Sequence, residues 1–457
     1  SSCVMHYLLT RFTLPTTRYL HILKSVNIRK IVKKFVPTGL FRAIEPFGHL
    51  VEAVLLNIIN GFPGRGLKVI GVTGTNGKTT TSFMIHRMLQ NSGYKTALMS
   101  TVAWGVGDEI KPQIQHYTNV PTPELMKRLK VIRAAKVDYV VMEVTSHALA
   151  QNRVWGIPYS VAVLTNLTHE HLAYHGTFER YRDAKRKLFK RANKNKRGMR
   201  AGVINADDPS AEFFASDINN PITYGLKSGD IKAKNVQLKP AGIEYDIEVS
   251  DAKYHISSHL AGSFNVENSL AAVGVGRVLG LSVEQIEKGI GALQYVEGRM
   301  TKVVAGQDFD VIVDYAHTPD SYEKLFKDLR PVVKGKMIVL GGSLGGGDKA
   351  KRPAQGRLSG KYADEVIICE EDDRLEDPQQ IMDDIAAGAK ESGKQLDKDL
   401  FMIHDRVEAI NFAVKRAKKG DTLLLLGKGH EKTIERADGE HPWDEIAVAK
   451  KALQQRT

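Results

Sequence analysis

The largely apolar run Leu67 to Val72 passes directly into Thr73-Gly-Thr-Asn-Gly-Lys-Thr-Thr80, and apolar residues then recur at helical spacing until about Gly93. A buried strand, a glycine-rich turn and a helix in immediate succession restrict the chain to an α/β fold built on a parallel sheet. The same succession makes a phosphate cradle, because backbone N–H groups and a helix N-terminus converge on one point. In that reading Gly74, Thr75, Asn76 and Gly77 form the cradle, Lys78 reaches the outer phosphates, and Thr79 offers its hydroxyl to magnesium beside Thr80. The spacing departs from the strict P-loop. Val72 stands where the first glycine belongs, and Gly71 and Gly74 are the glycines available.

The rest of the chain divides by pattern. Residues 1–66 are expected to form a helical N-terminal segment, with apolar residues at helical spacing over Ile28 to Phe35 and Phe47 to Ile59, closed by Pro63, Gly64 and Gly66. Residues 67–297 are expected to form a central P-loop ATP-binding domain with further buried strands at Tyr139 to Val144 and Val161 to Leu164. The alternation restarts after Gly298, so residues 298–457 are expected to form a Rossmann-like domain with strands at Val311 to Val313, Met337 to Leu340, Glu365 to Ile368 and Thr422 to Leu426.

Composition narrows the function. Net charge is +13, and the densest basic run, Lys185 to Arg200, holds nine Lys or Arg. A solvated helix and loop explain that run, and with no nucleic-acid motif beside it a nucleic-acid partner is set aside in favour of anionic small substrates. The basic amphipathic stretch Ile28 to Val36 reads as a packed helix with a wet face rather than a membrane-surface helix. No run approaches the roughly 18 apolar residues of a spanning helix. Two distant cysteines, Cys3 and Cys369, fit a reducing compartment, and the cytoplasm is expected. Oligomeric state is not legible.

Glu143 ends its strand next to the glycine loop, where a carboxylate can hold magnesium. His169 and His171, two residues apart, lack a third soft ligand, so zinc is set aside.

Seven ordered motifs then carry a resemblance. Gly71-Val-Thr-Gly-Thr-Asn-Gly-Lys-Thr-Thr80, Glu143-Val-Thr-Ser-His-Ala-Leu149, Thr165-Asn-Leu167, His171-Leu-Ala-Tyr-His-Gly-Thr177, Asn205-Ala-Asp-Asp208, Asp314-Tyr-Ala-His-Thr-Pro319 and Gly427-Lys-Gly-His-Glu431 resemble the Mur ligase family. The Ser146-His147 segment and the last motifs resemble its branch that adds the third amino acid to UDP-N-acetylmuramoyl-L-alanyl-D-glutamate. The resemblance implies an ATP- and Mg2+-dependent ligase that joins a carboxylate to an amine through an acyl phosphate, in peptidoglycan precursor synthesis. It also implies roles residue by residue. Lys78, Thr79 and Thr80 hold ATP phosphates and magnesium, and Glu143 and His171 are metal ligands. Lys185 is carboxylated on its side-chain nitrogen, becoming an anionic ligand for a second magnesium. Asn268, Arg299 and Asp314 contact the nucleotide. Thr122, Thr145, Gln151 and Arg153 touch the muramoyl-peptide, and Gly427, Glu431 and Arg374 serve the incoming amino acid.

Departures from the family carry further expectations. Residues 1–66 are too few to supply the UDP-gripping domain with which this branch begins, so the chain is expected to lack it. Gly347 stands where an arginine would clamp an amino-acid carboxylate. The specificity loop reads Glu371-Asp-Asp-Arg374, whose extra acids suggest a dibasic amino acid in place of diaminopimelate. Glu170 and Ala173 replace two acceptor-motif aspartates. Two alternatives stand beside this reading. One is a ligase for a non-UDP glutamyl or peptidyl acceptor, with polyglutamate- or cyanophycin-like chemistry; the other is a nucleotide-binding protein without turnover.

Overall fold

A computed structural model describes residues 38–113, 118–168, 170, 172–239 and 242–456. The expected helix over Ile28 to Phe35 and the metal-site histidine His171 lie outside the described residues, as does His169.

Helix α1 (Thr38–Ile59) precedes the glycine-loop strand β1 (Val69–Thr73) and α2 (Lys78–Asn91). Then come β2 (Thr96–Met99), β3 (Ala103–Val106), β4 (Glu109–Pro112), α3 (Thr122–Ala134), β5 (Tyr139–Glu143), α4 (Ser146–Ala150) and β6 (Tyr159–Leu164). After α5 (Leu172–His175) and α6 (Phe178–Lys194) the chain continues through β7 (Ala201–Asn205), α7 (Ala211–Ala215), β8 (Asn220–Gly225), β9 (Ile231–Lys239), β10 (Gly242–Val249) and β11 (Ala252–Ser258). These strands form one sheet in the order β11-β10-β9-β8-β7-β6-β1-β5-β2-β3-β4. Strand β1 pairs in parallel with β5 on one side and β6 on the other. The carboxyl ends of these three strands therefore open into one crevice, where an α/β sheet binds its ligand.

Helices α8 (Ser263–Val278) and α9 (Val283–Gly291) pack back on α2. A second sheet follows, built from β12 (Thr301–Lys302), β13 (Asp310–Asp314), α10 (Pro319–Leu329), β14 (Met337–Gly341), α11 (Lys351–Tyr362), β15 (Glu365–Ile368), α12 (Pro378–Glu391), β16 (Leu400–Met402), α13 (Arg406–Arg416) and β17 (Thr422–Leu426). The hairpin β18 (Thr433–Arg436) and β19 (Gly439–Pro442) and helix α14 (Glu445–Gln454) complete it. Its order is β12-β13-β17-β14-β15-β16, with only β12 antiparallel. Each sheet is covered by buried apolar clusters on both faces, which is why its central strands read as unbroken apolar runs. The α/β class and the helical segment ahead of the glycine loop are as the sequence predicts. Strand β1 starts two residues later than expected, at Val69. No helix among the described residues is long and apolar enough to cross a membrane.

One ion pair fixes the functional end of the second sheet. Arg406 and Glu445 are fully buried against each other, with Nη2 to Oε1 at 2.7 Å. Arg406 also donates to the carbonyls of Glu370 and Leu426, the residues that lead into the two loops at the top of β15 and β17. Trp443 Nε1 donates to the same carboxylate at 2.8 Å. Removing one partner leaves an uncompensated buried charge, so Glu445→Ala is expected to cost about 3–5 kcal/mol, read as a lowered urea midpoint of the second sheet. A midpoint within error of the parent protein would contradict this role.

Candidate active site

The glycine loop is shaped by close approach. Gly74 has φ 151° and Gly77 φ 80°; a β-carbon at the first would collide with Thr165 Oγ1, and at the second with the Asn268 side chain. Only glycine fits both positions. Asn76 N donates to Asn166 Oδ1 at 3.0 Å, and Thr165 Oγ1 donates to Asn76 O at 2.6 Å, so the end of β6 braces the turn. Helix α2 begins at Lys78 with no side-chain cap. Its first N–H groups, with the positive end of the helix dipole, are left for an anion.

Two lysines and a carboxylate surround that terminus. Lys78 Nζ donates to Thr75 O at 2.7 Å. Lys185, from α6, is 2% exposed, donates Nζ to Gly74 O at 2.6 Å and lies 4.7 Å from the Tyr181 ring centre. Burial, and then repulsion by Lys78, push its pKa well below the usual lysine value, against the opposing pull of Glu170 and Glu143. Glu143, 1% exposed, accepts from Thr79 Oγ1, Thr101 N and Thr101 Oγ1, each at 3.0 Å.

One further residue organises the neighbouring wall. Asn119 donates to Glu143 O at 2.7 Å and accepts from Thr145 N and Oγ1 at 2.8 and 2.9 Å, while its own carbonyl receives Arg153 Nη1 at 2.8 Å. It ties the carboxylate strand to the residues matched to the acceptor. The only sequence signal for it is its place just before Pro121-Thr-Pro123, which marks a turn rather than a hub.

The second sheet supplies the facing wall. Arg299 Nη2 donates to Thr79 Oγ1 at 3.3 Å, and its guanidinium sits 4.6 Å from the Tyr315 ring centre. Asn76 Nδ2 donates to Asp320 Oδ2 at 2.8 Å, and His317 Nε2 lies 3.4 Å from Glu170 Oε1. Between the walls lies a cavity of about 520 Å³, onto which Thr75 to Thr79, Thr122, Glu143, Thr145, Gln151, Arg153 and Arg299 open. A second hollow adjoins it, lined by Gly77, Thr80, Asn268, Arg299 and Asp314 and floored by Phe264 and Leu260. Burial raises the Asp314 carboxyl above the usual range, with Arg299 pulling the other way; Met300 N and Ala316 N donate to it.

Arg374, Gly427 and Glu431 do not line these cavities. Gly427 has φ 101°, and a β-carbon there would crowd Glu371. Glu431 Oε2 pairs with the fully buried Lys428 Nζ at 2.6 Å and reaches the cleft through Tyr315 OH. The acidic loop differs from the expected patch of free negative charge. Asp372 pairs with the same Lys428 at 2.8 Å and Asp373 with His404 at 2.7 Å. Glu371 is the exception: it is 6% exposed, its Oε2 has no hydrogen-bond partner among the described residues, and burial pushes its pKa up. Arg374 is held by Glu435, Nε to Oε2 at 2.9 Å. The arginine of Lys351-Arg352-Pro353 is buried against Glu376 and Asp384 and holds the fold of its own loop.

The site's residue types suit ATP and magnesium. An uncapped helix N-terminus beside two lysines suits phosphate, and Thr79 with Glu143 offers the hard oxygen donors that magnesium takes.

Comparison with known proteins agrees across both sheets. Residues 72–276 match the Mur ligase middle domain, and residues 298–429 match the Mur ligase glutamate ligase domain. The chain is 39% identical over 420 residues to the UDP-N-acetylmuramyl-tripeptide synthetase of Roseiflexus sp. (strain RS-1), covering 89% of this chain and 82% of that protein. It is 38% identical over 420 residues to the UDP-N-acetylmuramoyl-L-alanyl-D-glutamate–2,6-diaminopimelate ligase of Geobacillus thermodenitrificans (strain NG80-2), covering 90% and 84%. A solved structure of a UDP-N-acetylmuramoyl-L-alanyl-D-glutamate–2,6-diaminopimelate ligase superposes with a TM-score of 0.60 at 29% identity, covering 90% of this chain and 82% of that one. With its glycine loop, its paired sheets and relatives that align along most of its length, the chain belongs to the Mur ligase family of ATP- and Mg2+-dependent carbon–nitrogen ligases.

Proposed function

We propose that this protein adds an amino acid to the terminal carboxylate of a muramoyl-L-alanyl-D-glutamate acceptor, in the cytoplasm, as a step of peptidoglycan precursor synthesis. The observation that carries the reading is a single cleft lined by the uncapped N-terminus of α2 and by Thr122, Thr145, Gln151 and Arg153, with Thr145 and Arg153 tied through Asn119 to Glu143. Phosphate donor and carboxylate acceptor then meet at Lys78. Relatives at 38–39% identity are named for a UDP-N-acetylmuramoyl-peptide acceptor, which supports this acceptor class.

In this reading the ATP phosphates rest on Gly74 to Thr80, and the adenosine occupies the hollow lined by Asn268 and Asp314 and floored by Phe264. Thr79 and Glu143 would hold magnesium, His171 would add a further ligand, and a carboxylated Lys185 would help hold a second magnesium. Bound there, magnesium would offset phosphate charge. Lys78 and Arg299 line the cleft from opposite walls, where their cations can offset charge on the phosphoryl group. The acceptor carboxylate oxygen attacks the γ-phosphoryl group and ADP leaves. The amine of the incoming amino acid then attacks the acyl carbon and displaces phosphate. The contacts of Asn76 with Asp320 and of Glu170 with His317 hold the walls together and keep water from the acyl phosphate.

The incoming amino acid is proposed to be dibasic. Glu435 pairs with Arg374 through Nε, and Gly347 offers no replacement clamp, so the second carboxylate of diaminopimelate meets an arginine whose charge is already offset. Glu371, buried next to Gly427 with an oxygen left over, is a ready acceptor for a second ammonium.

Carboxylation of Lys185 needs a neutral amine, since only the free lone pair attacks carbon dioxide. Burial, and then repulsion by Lys78, shift the amine toward that form. Incubation with 13C-bicarbonate is expected to give a carbamate carbon signal that Lys185→Ala lacks, and the signal should fade as pH drops through the depressed pKa. An unlabelled parent protein would remove Lys185 from the metal site.

The function itself is tested by ADP release and product mass, with muramoyl-dipeptide acceptor and equal lysine and diaminopimelate. ADP release dependent on both acceptor and amino acid is expected, with the lysine adduct dominant and a loss of at least about 100-fold in Lys78→Ala. Acceptor-independent ATP hydrolysis would overturn the ligase reading, and a dominant diaminopimelate adduct would overturn the dibasic pocket.

A further inference from the structure

Helix α1 turns an apolar strip outward. Ile44, Phe47, Val51, Leu55 and Ile58 recur at steps of three and four, so they share one face. All are exposed, as is Ile59 beside them, by 67% at Phe47 and 75% at Ile59. An amphipathic helix ordinarily turns such a strip to the core. Here another side of the helix is fastened instead. Ala53 and Asn57 are buried, Asn57 Nδ2 donates to Trp155 O at 3.3 Å, and Gly156 packs so closely on the Asn57 side chain that a β-carbon would strike it. Asn152 Nδ2 donates to Pro46 O at 3.4 Å. A contiguous apolar strip held facing water on an anchored helix marks an interaction surface.

The surroundings of the strip are cationic. Helix α3 packs beside α1, and its Lys127, Lys130 and Arg133 are exposed. Arg133 Nη1 donates to Phe62 O at 3.4 Å, just past the end of α1. The segment that anchors α1 is also gripped by α6, whose Arg191 donates to Val154 O at 3.1 Å and to Asn152 Oδ1 at 3.0 Å. Lys187 and Lys194, a helical turn to either side of Arg191, are exposed. The dense basic run of the sequence therefore lies against the anchorage of α1. Nearby acids offset it little, because Glu124 pairs with Arg128 at 3.3 Å and Asp183 with Arg186 at 3.2 Å. Residues 1–44, which lead into the strip, hold eight Lys or Arg and no Asp or Glu.

Charge and apolarity together decide what fits this surface. A second copy of the chain brings the same lysines and arginines against themselves. A nucleic acid satisfies the cations and leaves the aliphatic strip wet. An anionic bilayer answers both features, since the acyl boundary takes the apolar side chains while lipid phosphates meet the lysines and arginines around them. We propose that the outer face of α1, with the basic faces of α3 and α6 beside it, seats this protein on an anionic phospholipid bilayer. No described helix is long and apolar enough to cross a membrane, so α1 lies along the surface. The docking does not depend on which acceptor the cleft takes.

The test is co-sedimentation of the full chain with phosphatidylcholine vesicles that contain or lack phosphatidylglycerol. A parallel sample carries a solvatochromic label on Leu55→Cys in a Cys3→Ser background, where the buried Cys369 stays unlabelled. Binding is expected only with phosphatidylglycerol and is expected to weaken at high salt. Label emission is expected to shift to the blue as vesicles are added. Two variants, Phe47→Glu/Leu55→Glu and Lys130→Gln/Lys187→Gln/Lys194→Gln, are each expected to weaken vesicle binding at least about tenfold. All five side chains are exposed, so the melting temperature should stay that of the parent. Failure of the parent to bind phosphatidylglycerol vesicles overturns the proposal, as does full binding by the Phe47→Glu/Leu55→Glu variant. A label already blue-shifted without vesicles also overturns it, because the strip is then covered by the protein's own chain or by a second copy. Duplex RNA bound more tightly than the vesicles, and lost in the lysine variant alone, overturns it in favour of a nucleic-acid partner.

Discussion

Everything in the cleft depends on how closely the turn after β1 approaches its neighbours. Gly74 lies against Thr165, and Gly77 against Asn268, at distances no β-carbon permits. That contact turns the chain sharply enough for α2 to start at Lys78 with its N–H groups uncapped, and it places Gly74 O over the buried Lys185 amine. Because β1 is flanked in parallel by β5 and β6, Glu143 and Thr165 reach the same turn from either side. A phosphate site, a carboxylate and a lysine whose burial favours its neutral form thus follow from one steric condition.

The second sheet is held to a comparable tolerance by charge. Arg406, paired with Glu445 inside the protein, grips the carbonyls ahead of Glu371 and Gly427, and Lys428 is shared between Asp372 and Glu431. Burial alone would lower the Lys428 pKa, yet Glu431 and Asp372 hold it above the usual value. Such pairs are costly to desolvate and costly to break, which suits loops that must present one geometry to a substrate. Arg299, stacked on Tyr315, carries the influence of this sheet across to Thr79.

Much of this was legible in the sequence, because strand, glycine turn and helix leave few alternatives and buried parallel strands read as apolar runs. The runs Glu365 to Ile368 and Thr422 to Leu426 match β15 and β17 to the residue. Strand β9 is largely exposed and carries no apolar run, so its place in the sheet was not legible. Pro46 interrupts the apolar pattern of α1, so within the helical N-terminal segment the regular spacing begins only at Phe47, whereas the helix runs from Thr38 through the proline. Charge was legible but partnership was not. Asp372 finds Lys428 across 56 positions, so a run that looks acidic is largely neutralised by the fold. Asn119 escaped notice for the same reason: its importance lies in four hydrogen bonds to residues up to 34 positions away.

The central claim is that the acceptor carboxylate itself takes the phosphoryl group beside Lys78. Labelling that carboxylate with 18O and analysing the released phosphate tests it most directly. The account predicts one 18O atom transferred into inorganic phosphate for each amide bond formed, with ADP as the other product. Label retained wholly in the amide product, or found in AMP, would contradict it.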